Sequence, residues 1–259
     1  MKKLTAKITV MIVGVAALAA FCFSLARPAD TRRSRLSDEA KRGRLVYERY
    51  CISCHGAEGD GQGEFAEWIS PKPRDFRQGT FKWRSTPSGS LPTDADLERT
   101  MINGLYGTHM PAWHVLDHME HMEVIAYIKT FSDRWANELP ESSLVIPPEP
   151  PDDSASVQRG RSLYLSTGCD RCHGDRGQGD GPSARGLKDD WGYPIVPYNL
   201  TAGRIKCGQT AADIYRVLFT GLGGTPMPSF EKSLSQDQAW DIAHYILSLG
   251  PSGRHRASK

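Results

Sequence analysis

The chain has 259 residues, with 32 Lys and Arg against 30 Asp and Glu and a formal net charge of +2. That length allows one or two domains, and so even a balance of charge excludes the strong basic field of a nucleic-acid binder. Four of the six cysteines fall in two tight pairs, which leaves no set from which a disulfide framework could be argued.

Lys2, Lys3 and Lys7 precede an apolar run from Ile8 to Ala26. Such a run is a secretory signal peptide or an uncleaved anchor. Ser24-Leu25-Ala26 offers a small-x-small cleavage site, but the run is longer than a usual signal core and close to the spanning minimum of about 17 residues. Phe21 is too bulky for Cys22 to begin a lipoprotein. The expectation is an inner-membrane anchor over residues 1–35, with the remainder exported. Arg27, Arg32, Arg33 and Arg35 would then flank the membrane on its outer side, against the usual bias, so charge does not settle the topology.

From Leu36 onward the chain repeats itself. Arg42-Gly43-Arg44 and Tyr47 precede Cys51-Ile52-Ser53-Cys54-His55, and Arg159-Gly160-Arg161 and Tyr164 precede Cys169-Asp170-Arg171-Cys172-His173. Apolar residues at helical spacing place a short helix before each five-residue motif. Cys-x-x-Cys-His is the attachment signature of haem c: two thiols three positions apart can each bond one vinyl group, and the next residue is an imidazole able to ligate the iron. Zinc and redox dithiol sites share Cys-x-x-Cys, but a structural zinc needs four ligands, and no second pair accompanies either motif. The expectation is two covalently bound haems c, tethered at Cys51, Cys54, Cys169 and Cys172, with His55 and His173 as proximal ligands. Cys207 stands alone and reads as a small apolar core residue.

Gly56, Gly59, Gly61 and Gly63 follow the first motif, and Gly174, Gly177, Gly179 and Gly181 the second. They permit tight turns close to a porphyrin. Pro73-Arg74-Asp75-Phe76 and Pro197-Tyr198-Asn199-Leu200 are loops that either cover the haem edge and hydrogen-bond its propionates or are plain surface. Thr93-x-x-Asp96 and Thr210-x-x-Asp213 resemble capping boxes, and Gly104 and Gly221 stand where the capped helices should stop.

Thr108-His109-Met110-Pro111 and Thr225-Pro226-Met227-Pro228 come next. Met110 lies 55 residues after His55, and Met227 lies 54 after His173. Both fall outside the periodic segments, and a thioether suits the sixth position of an electron-transfer haem, so Met110 and Met227 are the expected distal ligands. His109, and more weakly His114, are rivals in the first copy. Met101, Met119 and Met122 sit in helical patterns and read as core filler. Asp117-x-x-Glu120 and Ser235-x-x-Gln238 open the closing helices, whose Tyr127 and Tyr245 each lie 76 residues past the first cysteine of their motif. The last helix of each copy is expected to cross the first at Gly43 or Gly160. A Pro-rich stretch over 139–156 joins the copies as a semi-rigid linker, and the polar tail 251–259 is expected to lack structure.

Together, helix–Cys-x-x-Cys-His, Gly-rich loop, helix, Met-Pro loop and C-terminal helix resemble class I c-type cytochromes, over residues 38–132 and again over 156–250. The Pro71–Phe76 and Phe81–Pro87 stretches are similar to diheme cytochromes of bacterial respiratory complexes. The resemblance implies an all-α fold of two tandem class I cytochrome c domains, 36–138 and 157–250. It implies an electron carrier rather than an enzyme, on the periplasmic face of a bacterial inner membrane. The partners would be a redox protein or respiratory complex, with no nucleic acid and no small-molecule substrate. The rivals are a diheme peroxidase and a haem-based ligand sensor, each of which needs an open or displaceable sixth position.

Overall fold

The computed structural model describes residues 36–206 and 208–251. The N-terminal apolar segment, Cys22, Cys207 and the tail past Pro251 lie outside them. No helix among the described residues is long and apolar enough to cross a membrane.

The first copy opens with α1, Asp38–Tyr50, which buries Ala40, Gly43, Val46 and Tyr47 at steps of three and four residues. A single turn, α2, covers Ile52–His55, and a 3₁₀ turn covers Ala66–Trp68. Helix α3, Asp94–Asn103, starts at a full capping box, with the Thr93 hydroxyl accepting from Asp96 N and the Asp96 carboxylate accepting from Thr93 N. It stops at Gly104, whose φ is +60°. Asp117 and Glu120 cap α4, His118–Lys129, in the same way, and one turn, α5, follows over Arg134–Asn137.

The second copy repeats the order. Helix α6, Ser154–Ser166, is capped by Asp153, so the extended stretch between the copies ends there. Then come α7, Asp170–His173, a 3₁₀ turn over Leu200–Ala202, α8, Ala211–Thr220, and α9, Gln236–Leu249. Thr210 with Asp213 and Ser235 with Gln238 form the capping boxes of α8 and α9. The described residues contain no strand, only two isolated bridges. The architecture is all-α, as expected.

Each closing helix packs on the opening helix of its own copy through a glycine. A Cβ on Gly43 would lie 1.7 Å from the carbonyl oxygen of Glu123 in α4, and one on Gly160 would lie 1.9 Å from that of Asp241 in α9. Backbones this close admit no side chain between them, so the crossing points are where the repeat placed them.

Two separate cores result. The first joins Val46 and Tyr47 of α1 to Leu97, Met101, Val124, Ile125, Ile128 and Phe131. Tyr47 sits 5.3 Å, centroid to centroid, from both Tyr127 and Phe131. The second gathers Tyr164, Ile214, Tyr215, Leu218, Trp240, Ile242 and Ile246. Met101 and Met122 join the first core, but Met119 does not and is 65% exposed. The buried stripe of α4 runs through His121, Val124, Ile125 and Ile128, and Met119 lies on the outer face, so its reading as core filler is corrected.

Residues 139–153 form a strap across both copies. Glu141 N donates to Ser90 Oγ and Leu144 N to Ser85 O, while Leu144 and Ile146 pack on the second core. Glu149 reaches the buried His244 of α9, Oε1 to Nε2 3.2 Å. The sequence allowed the copies to pack or to stay apart; they pack. Arg84 donates to Thr220 O at 2.6 Å, Arg99 pairs with Asp213 at 2.5 Å, and Gln62 donates to the Tyr193 hydroxyl at 2.6 Å.

Candidate functional site

Each Cys-x-x-Cys-His motif forms the turn that continues its opening helix. Cys51 N donates to Tyr47 O and His55 N to Cys51 O; Cys169 N donates to Tyr164 O and His173 N to Cys169 O. The chain then turns back at a glycine, Gly56 at φ +78° and Gly174 at φ +77°. A buried tyrosine holds that glycine's carbonyl in each copy, Tyr47 to Gly56 and Tyr164 to Gly174, both at 2.7 Å. Burial removes each phenol from water and raises its pKa, so both remain donors. Gly61 N returns to His55 O and Gly179 N to His173 O. The Gly-rich stretch thus folds back onto the motif.

The two imidazoles are oriented alike. His55 Nδ1 lies 3.0 Å from Arg74 O, and His173 Nδ1 lies 3.1 Å from Tyr198 O. A carbonyl can only accept, so Nδ1 carries the proton and Nε2 keeps its lone pair for a metal. Burial pushes His55 down to about 4, against the opposing pull of the Arg74 carbonyl, and it lowers His173 as well. Both rings are therefore neutral near pH 7, the form that ligates. Phe76 stacks on His55 at 4.5 Å between centroids, which fixes the plane of the ring. Burial raises the thiols too, Cys51 to about 12 and Cys169 to about 11, so neither is a thiolate nucleophile in the folded chain.

The methionine loops are near copies of each other. Leu105 N donates to Met110 O, Thr108 N to Leu105 O, and Met110 N to Thr108 Oγ1 at 3.1 Å. Leu222, Thr225 and Met227 repeat all three bonds, the last at 3.2 Å. A single cavity in the first copy brings together Cys51, Cys54, His55 and Met110, walled by Ile69, Phe76, Leu97, Met101, Ile125 and Ile128. His109 also lines it but is exposed, and His114 is exposed and does not line it. In the second copy Cys169 and Met227 pack against the second core.

These residues fit a haem. The wall is apolar, and the donors are two thiols, an imidazole with a free Nε2 and a thioether. The indole Nε1–H of Trp83 on the same wall is buried and has no acceptor among the described residues. A structural zinc fits less well, because no three His, Cys, Asp or Glu side chains among the described residues converge as its donors would.

The carbonyls of Arg74 and Tyr198 were not foreseen as histidine partners. The signal available was the proline before each, Pro73 and Pro197, in loops at matching places in the two copies. Lys82, Trp83 and Lys206 around the cavity also went unassigned.

The family model described as cytochrome C oxidase, cbb3-type, subunit III matches residues 38–128 and again 155–246. The subunit FixP of the cbb3-type cytochrome c oxidase of Azorhizobium caulinodans is 21% identical over 216 residues, 80% of this chain and 59% of that one. Subunit CcoP from Azospirillum brasilense is 24% identical over 221 residues, 80% of this chain and 61% of that one. The chain thus spans about three-fifths of these relatives' length. A solved chain of the Kuenenia stuttgartiensis reducing HAO-like protein complex Kustc0457/Kustc0458 superposes with a TM-score of 0.80 at 40% identity, covering 83% of this chain and 97% of that one. With both copies of the repeat matched, the chain is a c-type cytochrome of two tandem class I domains and belongs to the cbb3-type cytochrome c oxidase subunit III family.

Proposed function

We propose that the chain relays single electrons through two His/Met-ligated haems c. Cys51 and Cys54 tether the first and Cys169 and Cys172 the second. His55 with Met110 would hold the first iron, and His173 with Met227 the second. The relay units are residues 36–138 and 157–250, joined by 139–156. The observation that carries this reading is the duplicated geometry: the same carbonyl bond to Nδ1 and the same three-bond methionine loop occur in both copies.

The chemistry supplied by the bound group is the one-electron cycle of its iron. The chain's part is to hold that group still and dry. Arg74 and Tyr198 fix the imidazole tautomers, and Tyr47 and Tyr164 lock the turn behind each histidine. Pro111 and Pro228 stiffen the loops that present the thioethers. Thioether ligation raises the potential relative to a second imidazole. An iron held by both a histidine and a methionine would leave no site for peroxide or a gas, which disfavours the peroxidase and sensor readings. The likeness to subunits of oxidase and HAO-like complexes supports a redox complex as partner, on the periplasmic side of a bacterial inner membrane, with the N-terminal segment as anchor.

The test is the long-wavelength charge-transfer band that methionine gives ferric haem, measured per haem. Intensity for two irons is the expected result, with loss of half in Met110→His and in Met227→His. A band for one iron, a high-spin ferric signal at rest, or carbon monoxide binding at neutral pH would overturn the assignment.

A further inference from the structure

The wall of the first-copy cavity nearest the second copy is basic. Arg74 and Lys82 come from the first copy, and Lys206 reaches in from the second, 124 residues further along than Lys82. All three are half-buried, and none is within ion-pairing distance of a described carboxylate. Asp189, Asp190 and Asp75 act on Arg74 only at longer range; Asp189 already accepts from the backbone N–H groups of Trp191 and Tyr193, and Asp75 is paired with Arg77. Burial, and then the charges of Arg74 and Lys206, push Lys82 down to about 8. With no carboxylate paired to any of them, these cations repel one another at a cost. The indole N–H of Trp83, on the same wall and without an acceptor, also awaits an anion.

Lys206 is held in place by the interface. A Cβ on Gly107, in the loop that carries Met110, would lie 4.0 Å from Lys206 Cε and 3.9 Å from the Tyr198 ring. Lys206 Nζ lies 5.4 Å from the centroid of that same ring. Arg204, two residues earlier, instead lies over Tyr106 and turns away from the cavity.

We propose that Lys206 joins Arg74, Lys82 and Trp83 in a seat, built by both copies, for the carboxylates of the porphyrin tethered at Cys51 and Cys54, so that the second copy sets the reduction potential of the first haem. This rests on the haem assignment above. Porphyrin carboxylates supply the anionic acceptors that the cations and the indole lack. A positive charge so close favours the ferrous state, and its removal favours the ferric one.

The experiment is a spectroelectrochemical titration of the holoprotein, resolved into two components. The component lowered by Met110→His is the first haem. Lys206→Gln should lower that component alone, by a three- to tenfold change in its ferric-to-ferrous ratio at fixed potential, where tenfold is 59 mV for one electron. Lys206→Arg should restore it. Lys232→Gln, which removes the same charge from an exposed position, should move neither component. A shift in Lys206→Gln no larger than in Lys232→Gln, or one shared equally by both haems, overturns the proposal. Absence of covalent haem or of the methionine band in the wild type would instead overturn the haem assignment beneath it.

Discussion

The guanidinium of Arg74 lies 4.1 Å from the ring centroid of Trp191, in the opposite copy of the repeat. The carbonyl of the same Arg74 accepts from Nδ1 of His55. One residue therefore orients the His55 imidazole with its backbone and, with its side chain, ties the first copy to the second.

A double-mutant cycle of Arg74→Leu and Trp191→Leu should give a coupling of about 0.5–2 kcal/mol, the range of a partly desolvated cation–π pair. Chemical denaturation of the four holoproteins measures it. A coupling near zero would mean that the stacking contributes nothing.

Gly43→Ala and Gly160→Ala should each cost about 3 kcal/mol or more, because the new methyl would fall inside a carbonyl of the facing helix and force α1 from α4 or α6 from α9. Gly186→Ala is the control. Its φ is +75° but nothing lies within 4 Å of the added atom, so it should cost only the backbone strain, about 1–2 kcal/mol.

Tyr47→Phe and Tyr164→Phe each leave a buried glycine carbonyl without its donor and should cost about 1–3 kcal/mol. The loss should appear in both copies alike, as a lowered denaturation midpoint with the haem spectrum kept.

Burial alone would raise the Asp213 carboxyl. Hydrogen bonds from Thr210, with Arg99 and Arg216 beside it, outweigh burial and hold it below the ordinary carboxylate range. A depressed value means that the ionised carboxylate stabilises the fold fully above the unfolded value of about 3.9, and that this contribution is lost as the pH falls through the lower folded value. Stability should therefore decline below about pH 4. Asp213→Asn should flatten that part of the profile while lowering stability at pH 7. Denaturation midpoints from pH 7 to pH 2.5 decide it; an unchanged acid limb would refute the role given to Asp213.

The features legible in the sequence are those that nearby residues determine. The four capping boxes, the stops at Gly104 and Gly221 and the motif turns depend on side chains within a few positions of the backbone they serve. The glycine crossings were legible because the duplication printed them twice. Met119 was misread because an apolar residue one step off a helix's buried stripe looks, in sequence, like one on it. The Nδ1 bonds were hidden because a carbonyl has no residue signature. Lys206 went unassigned, since its contact with the first cavity depends on packing between segments a hundred residues apart.

The contacts between the copies come in matched pairs. Gly107 packs on Tyr198, and Gly224, its counterpart, packs on Arg74, while Arg74 and Tyr198 are the two residues whose carbonyls orient the histidines. Arg204 lies over Tyr106, and Arg84 approaches Gly223, which stands where Tyr106 does. Surfaces that answer each other in this way are isologous, the kind that two identical subunits present across a two-fold axis. Because both halves of this contact lie in one chain, nothing obliges them to be identical, and a change such as the cation at Lys206 alters one side and leaves the other as it was.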